Sequence, residues 1–330
     1  MYSLITWSVF IAANHFYPIP KGRSNAKKTK RNWSAYNESL VKRSDIFLWF
    51  DEATLSSWYS EPVRYKRGRP YIYSDVAIHA LLSIREVFHL TYRGLEGFAQ
   101  SLFSMLGITR LSAPDYTSIC KRAKTLDIPI KVYDHREALH LLIDSTGLKV
   151  FREGEWKVKQ HGFSKRRTWR KVHIAVDGSS LQIHAVETTK ANVDDAEGAV
   201  RLIRKIGKRI SSVCGDGAYD KKKVYNELSK RKSKACIPPR CNAILDHCGA
   251  FGSAGRYRNE AIDAMRDDDL DGGKERTKYH KRSLVEIVMF QIKQIFGDKL
   301  KARNFESQVV ETRIKVTILN RFIAMNNDFY

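Results

Sequence analysis

Hydrophobic positions between Ser74 and Leu126 recur every three to four residues, which is the spacing of one face of an α-helix. Ser74 and Asp75 are suited to cap a first helix, and a second helix is predicted from Thr91 to Leu102. The segment Ser112-Ala-Pro-Asp115 predicts the start of a third helix, which carries basic residues. Three short helices with a basic last one indicate a helix-turn-helix unit, although plain packing modules share this pattern.

From His140 onward the pattern changes to short apolar runs typical of β-strands. Strands are predicted at residues 141–151, 169–176, 181–187, 210–214 and 234–237, and helices at 194–206, 221–230 and 279–296. The order β-β-β-α-β-α-β followed by a long helix is that of an RNase H-like domain, an α/β fold with a mixed sheet flanked by helices. Residues 241–275, rich in Gly and Asp, match none of these elements and are predicted to be an insertion or mobile loop.

Composition adds one strong signal, the charge. Hydrophobic residues (43%) and charged residues (28%) are typical of a globular protein, but 58 Lys and Arg against 36 Asp and Glu leave a net charge of +22. Such a surplus requires a polyanionic partner or an anionic membrane, and nucleic acid is the leading partner. The five cysteines form no Cys-x-x-Cys pair, which indicates a reducing compartment and a cytoplasmic location.

The predicted organisation has three parts. Residues 1–24 are an apolar leader, residues 25–138 an α-helical DNA-binding region that includes a helix-like stretch at 37–49, and residues 139–330 the RNase H-like domain. The apolar stretch of the leader is about half of what a bilayer crossing requires, so no membrane partner is expected. Because the composition changes abruptly near Ser24, we expect that the leader is not part of the working protein.

Two aspartates stand where carboxylates are otherwise out of place. Asp144 ends the apolar run Leu-Leu-Ile-Asp-Ser-Thr-Gly, and Asp216 follows a predicted strand in Val-Cys-Gly-Asp-Gly-Ala-Tyr-Asp. A single Asp before Gly is usually a turn or capping residue. Two of them on successive core strands favour a shared catalytic role.

The last predicted helix carries a narrow polar stripe. Tyr279, Arg282, Glu286 and Lys293 fall within about 60° of one another on a helical wheel, and the other faces are apolar. An exposed salt-bridged face would be the ordinary explanation, since Arg282 and Glu286 are an i,i+4 pair. That explanation does not account for one acid among three groups suited to binding anions.

The spacing Tyr-x2-Arg-x3-Glu-x6-Lys at these four positions resembles the signature of bacterial insertion-sequence transposases with an Asp-Asp-Glu (DDE) triad. The surrounding sequence is similar to the insertion-sequence five family. The segments around Asp144 and Asp216 resemble those that carry the two aspartates of that family. The resemblance covers about residues 35–325 and leaves out the apolar leader.

This resemblance implies a DNA transposase whose catalytic and metal-binding residues are Asp144, Asp216 and Glu286, so that residues 139–330 are the DDE catalytic domain. The implied cofactor is Mg²⁺, as two ions, with Mn²⁺ as a possible substitute. Two such ions stabilise the attacking and leaving oxygens of a phosphodiester, and Mg²⁺ prefers oxygen ligands. Water would free a 3′-hydroxyl at the element's end, and that hydroxyl would attack target DNA.

The implied partner is double-stranded DNA, at the terminal inverted repeats of the element and at the target, with a homodimer in the DNA complex and a location at the nucleoid. Arg282 and Lys293 would hold phosphates beside the triad, and Tyr279 would contact the strand end. Further DNA contacts are expected from basic residues in three places: Lys121 and Arg122 on the third helix, Arg67 and Arg69 in an Arg-Gly-Arg-Pro segment, and Lys165, Arg166, Arg167, Arg170 and Lys171 between the first two strands.

Two other functions stay open at this point. The chain could be a catalytically silent helix-turn-helix DNA-binding protein derived from a transposase, which the intact triad disfavours. It could also be an RNase H-like nuclease of hybrids or junctions, which the basic N-terminal region disfavours. A Mg²⁺-dependent nicking assay separates the first alternative from a transposase, and a hybrid substrate tests the second.

Overall fold

The computed structural model describes residues 33–61, 70–133, 137–150, 169–239, 244–246, 249, 252–266 and 279–327. The chain divides into two compact units. One contains the described residues up to Pro129 together with those from Ile292 onward, and the other contains those from Ile130 to Gln291. Within these described ranges, no helix is long and apolar enough to span a membrane.

In chain order the helices are α1 (Trp33–Lys42), α2 (Glu52–Ser56), α3 (Asp75–Val87), α4 (Tyr92–Met105), α5 (Tyr116–Arg122), α6 (Asp195–Lys205), α7 (Lys222–Arg231), α8 (Gly255–Arg266), α9 (Ser283–Phe296) and α10 (Phe305–Asn327). The strands are β1 (Ala138–Val150), β2 (Trp169–Asp177), β3 (Ile183–Lys190), β4 (Arg209–Cys214), β5 (Lys234–Cys236) and β6 (Lys299–Leu300). Short 3₁₀ turns occupy Ile46–Leu48, Gly217–Tyr219, Gly252–Ala254 and Tyr279–Arg282.

In the first unit, the capping residues named from the sequence begin the three predicted helices. Ser74 accepts a hydrogen bond from the Ala77 amide, Thr91 caps α4, and Asp115 accepts from the amides of Thr117 and Ser118. Each cap satisfies amides that the first helical turn leaves without a partner. Helices α3, α4 and α5 pack against one another, as expected for a helical trio. The helix predicted at 37–49 does not match the observed helix, because α1 spans Trp33–Lys42.

Helix α10 is a long helix that the sequence pattern did not predict. It packs on α1 and α3, and it buries polar side chains such as Lys315, Glu311 and Asn320 instead of showing one apolar stripe. The Lys315 ammonium lies 2.7 Å from Glu311 Oε1, and this pairing makes its burial tolerable. Residues from Ile292 onward therefore belong to the first unit by contacts, whereas the predicted RNase H-like domain ran to residue 330.

The second unit is built on a mixed sheet in the order β3-β2-β1-β4-β5. The pairs β1–β2 and β2–β3 are antiparallel, and the pairs β1–β4 and β4–β5 are parallel. Helix α6 packs on β1, β2 and β3, and α7 packs on β4 and β5. The apolar core between them includes Leu141, Ile143, Val200 and Ile203. This arrangement confirms the predicted RNase H-like α/β fold.

The segment 241–275 was predicted to be an insertion or mobile loop, and no helix or strand was assigned within it. Residues Gly255–Arg266 form α8, which packs on α7 and β5. Its buried side chains include the apolar Ala261 and Ile262, and Arg258 on the same face forms a salt bridge with Asp220. The helix was missed because a charged residue occupies one of the buried positions and interrupts the apolar pattern.

Candidate active site

Strand register brings Asp144 and Asp216 side by side. The parallel pairing of β1 with β4 matches Leu142 with Cys214, and each aspartate lies two residues beyond that pair. Asp216 keeps an extended backbone, so the alternation of the strands carries both carboxyl groups to the same face of the sheet. Neighbouring strands are about 4.8 Å apart, which makes these two residues direct neighbours. The Asp216 side chain is steadied by the Ala218 amide, 2.9 Å from Oδ1.

The third carboxylate, Glu286, is linked to Asp144 by Arg282. Glu286 lies in the first turn of α9, and the 3₁₀ turn before this helix contacts β1. Arg282 Nη2 is 3.2 Å from Glu286 Oε1 and 3.9 Å from Asp144 Oδ2. The guanidinium therefore lies between two of the three acids. The Arg282–Glu286 pair that could have been a surface ion pair is part of the acidic site.

The pKa of Asp144 reflects the charged groups around it. Burial raises the pKa of the Asp144 carboxyl, and the nearby negative charges of Asp216 and Glu286 raise it further. The Ser145 amide and the Arg282 guanidinium act in the opposite direction. Tyr219, buried beneath these groups, has a pKa raised by burial and by Asp144, Asp195 and Asp216. Three acids that repel one another in a half-buried site favour a cation among them.

Asp195, the first residue of α6, is a fourth carboxylate beside the site that the sequence pattern did not identify. It accepts a hydrogen bond from the Ser145 hydroxyl at 2.7 Å and lies 3.2 Å from the Lys171 ammonium. His173, which pairs with Ser145 between β1 and β2, has its Nδ1 atom 3.8 Å from the same carboxylate. No local pattern could have linked residues that are separated by more than twenty positions.

The chemistry of the three acids fits a hard divalent ion, since they offer oxygen ligands only. Whether these acids already form a metal-binding cage is a separate question. Within the part of the chain that the structure describes, no group of three or more His, Cys, Asp or Glu side chains is arranged to hold a metal ion. Arg282 supplies the positive charge between Asp144 and Glu286 in this arrangement.

Two of the predicted DNA contacts are engaged inside the protein instead. Arg122 is buried, pairs with Asp75, donates to the Tyr73 carbonyl at 2.8 Å and stacks on Tyr71. Its guanidinium is thus bound within the protein, and its contact with DNA stays a prediction. Lys171 is similarly held by Asp195 and by the Val193 carbonyl at 3.1 Å. Each would have to break these bonds before it could reach DNA.

The other predicted DNA contacts stay predictions. Lys121 is exposed on α5, and Arg170 is half-buried at the start of β2. Lys293 lies on α9 seven residues after Glu286, which puts it on the same helical face. Several predicted contacts lie outside the described residues, namely Arg67, Arg69, Lys165, Arg166, Arg167 and the side chain of Tyr279. The apolar leader lies outside them as well.

A mixed sheet covered by helices, with one aspartate within β1, a second just after the neighbouring parallel strand β4 and a glutamate on a later helix, defines an RNase H-like domain with an acidic site. Comparison with protein families makes the assignment specific. A family model described as a transposase DDE domain matches residues 135–321, more than half of the chain, and a second with the same description matches residues 41–153. The chain belongs to the DDE transposases, a family whose members act on DNA and generally use divalent metal ions such as Mg²⁺.

The relatives add little about activity. An uncharacterized protein of Aquifex aeolicus (strain VF5) is 27% identical over 280 residues, which cover 79% of each chain. No solved structure matches this chain significantly.

Proposed function

We propose that this protein is the transposase of an insertion sequence, which binds the ends of its element, cleaves them by metal-assisted hydrolysis and joins the 3′-hydroxyl ends to target DNA. The insertion-sequence five family, suggested by the spacing of Tyr279, Arg282, Glu286 and Lys293, is part of this proposal. The observation that carries it is the meeting of Asp144 with Asp216 through strand register and with Glu286 through Arg282.

In this proposal Asp144, Asp216 and Glu286 hold two Mg²⁺ ions, for which Mn²⁺ substitutes, and the ions supply charge stabilisation for the attacking and leaving oxygens. The residues of the chain do the rest. Arg282, already beside the acids, moves its guanidinium to a phosphate of the bound strand. Lys293 binds a second phosphate on the same face of α9, and Tyr279 contacts the strand end. Tyr219 is buried beneath the three acids.

DNA binding is assigned mainly to the positive surface of the chain. The net charge of +22 supplies non-specific affinity for the phosphate backbone, and the helical region with Lys121 reads the terminal repeats. Arg67, Arg69, Lys165, Arg166, Arg167 and Arg170 complete the proposed contacts. Two ends must be held together during transposition, so we expect a homodimer on DNA and a cytoplasmic, nucleoid-associated location. Light scattering with and without end DNA measures this, and a monomer in both states contradicts it.

A cleavage assay tests the proposed chemistry. The substrate is a linear duplex that carries the inverted repeats flanking the gene, with Mg²⁺ or with chelator. The wild type should nick the duplex at the repeat ends only when Mg²⁺ is present. Asp144→Asn, Asp216→Asn and Glu286→Gln should each abolish nicking while end binding stays nearly unchanged, because phosphate contacts supply most of the affinity.

The matched control is Asp194→Asn, which removes one charge near the site from a residue that pairs only with surface lysines among its described contacts. It should nick DNA at about the wild-type rate. Normal nicking by a triad variant would remove that residue from the site. Binding without nicking by the wild type would indicate a silent DNA-binding protein, and preferential cleavage of an RNA–DNA hybrid would indicate a nuclease.

A further inference from the structure

We propose that Asp195 is a positioning residue for Asp144, acting through Ser145. This inference rests on the proposed function, since it concerns the same acidic site. Asp195 is the first residue of α6, and this helix packs against β1, β2 and β3. Its carboxylate accepts a hydrogen bond from the Ser145 hydroxyl at 2.7 Å. The Ser145 amide in turn donates to Asp144 Oδ1 at 2.7 Å.

The alternation of β1 explains why the link is indirect. Neighbouring residues of a strand point to opposite faces of the sheet. Ser145 therefore points to the face that α6 covers, together with the core residues Leu141 and Ile143. Asp144 points to the other face, as Leu142 does. Asp195 thus binds β1 from the α6 side, at Ser145, the residue next to the proposed catalytic Asp144. This placement allows Asp195 to orient Asp144 but not to replace it.

Asp195 is itself held more firmly than a helix-capping role requires. The Lys171 ammonium is 3.2 Å from both of its oxygens and also donates to the Val193 carbonyl. Asp194, the preceding residue, already provides the negative charge that stabilises the start of a helix. The bonds to Ser145 and Lys171 are additional, and they tie α6 to β1 and β2.

His173 completes the support. It is fully buried, its Nε2 lies 2.9 Å from the Thr189 hydroxyl, and its Nδ1 is 3.8 Å from Asp195 Oδ1. Gly198 makes room for the ring, because a Cβ at that position would lie 2.4 Å from His173 Nδ1. The ring therefore lies against the backbone of α6 and limits where the Asp195 carboxylate can move.

Binding of Mn²⁺ alone, followed by the electron paramagnetic resonance signal of the free ion, tests this inference in the full-length protein. Ser145→Ala and Asp195→Ala should each weaken Mn²⁺ binding about tenfold, the size expected when the support of a metal ligand is lost. The double variant should be no weaker than either single one, because both interrupt the same link. Asp195→Asn should recover most of the affinity, since its amide oxygen still accepts the Ser145 hydroxyl.

Asp194→Ala is the matched control and should bind Mn²⁺ as the wild type does. Circular dichroism checks that every variant is folded, and Asp195→Asn and Ser145→Ala keep the test open if Asp195→Ala is not. On end DNA, Ser145→Ala should lower kcat about tenfold and leave KM unchanged, because phosphate contacts are untouched.

Three results would overturn the inference. The first is that Asp195→Asn loses as much Mn²⁺ affinity as Asp195→Ala while Ser145→Ala binds Mn²⁺ normally, which would make Asp195 a direct ligand. The second is that the losses of Mn²⁺ affinity in the two single variants multiply in the double variant. The third is that Mn²⁺ affinity is unchanged in every variant. A wild type that binds Mn²⁺ but does not cleave DNA would refute the proposed function alone, and the Mn²⁺ comparison would still decide the role of Asp195. A wild type without Mn²⁺ binding would refute both.

Discussion

Arg258 and Asp220 form a buried salt bridge, with Arg258 Nε 3.0 Å from Asp220 Oδ1, that joins α8 to the loop after β4. Asp220 follows Asp216 by four residues, so the bridge anchors the loop that carries one of the three acids. Arg258 also donates to the Ile244 carbonyl at 2.8 Å. The segment predicted as an insertion is thus connected to the candidate active site by charge.

Arg258→Met should destabilise the protein by about 3 to 5 kcal/mol, because it leaves the Asp220 carboxylate buried without its cation. Urea denaturation followed by circular dichroism measures this. Arg256→Met is the control two residues earlier, where the exposed pair with Glu260 is screened by solvent and its loss should change stability little. Equal losses in both variants would contradict a structural role for the buried bridge.

Gly198→Ala should destabilise the protein, although alanine normally favours a helix. The added Cβ would lie 2.4 Å from the buried His173 ring, and overpacking of this kind costs about 1 to 3 kcal/mol. Gly97→Ala in α4 is the control, since nothing lies within 4 Å of its Cβ, and it should stabilise by up to about 1 kcal/mol. Thermal unfolding should therefore shift in opposite directions for the two variants, and a rise in both would refute the packing argument.

Asp115 should make the stability of the first unit depend on acid pH. Hydrogen bonds from the Thr117 hydroxyl and from the Ser118 amide and hydroxyl lower the pKa of Asp115 to about 2. Because the folded pKa lies below the unfolded value of about 3.9, its contribution is present above pH 4 and lost as the pH falls toward 2.

Asp115→Ala should cost about 1 kcal/mol at pH 7, and its difference from the wild type should shrink between pH 4 and pH 2. Denaturation curves across this range isolate the effect as a difference. Asp115→Asn keeps a capping acceptor without a titrating group, so the stability of this variant should lack the loss that Asp115 causes between pH 4 and pH 2. A difference that stays constant with pH would show that the charge of Asp115 contributes nothing.

Arg282→Gln should make the protein bind Mg²⁺ more tightly, because Arg282 offsets the repulsion between Asp144 and Glu286 that a divalent ion would otherwise relieve. We expect an apparent affinity about three- to tenfold higher, on the order of 1 kcal/mol, seen as a larger rise of Tm on adding Mg²⁺. Arg201→Gln removes an arginine from exposed pairs with Glu187 and Glu197 and should not change this rise. Equal shifts in the two variants would contradict the claim.

The features read correctly from sequence are local ones. Ser74 and Asp115 cap helices because each side chain bonds an amide two or three residues away. The strands and α6 follow from hydrophobic spacing over a few positions, and their order along the chain is enough to name the fold. The positions of Asp144, Asp216 and Glu286 as candidates came from motifs, and their roles stay a proposal.

Tertiary structure alone decided which of these residues meet. The pairing of Leu142 with Cys214 aligns Asp144 with Asp216, and the packing of α6 on the sheet brings Asp195 to Ser145. It also buried Arg122, Arg258 and Lys315, whose charges gave no sign of an interior position. A charged residue is buried at low cost only where a partner meets it, and the partners of Arg122 and Arg258 come from distant parts of the chain. Local patterns therefore identified the pieces of this transposase, and long-range packing determined their neighbours.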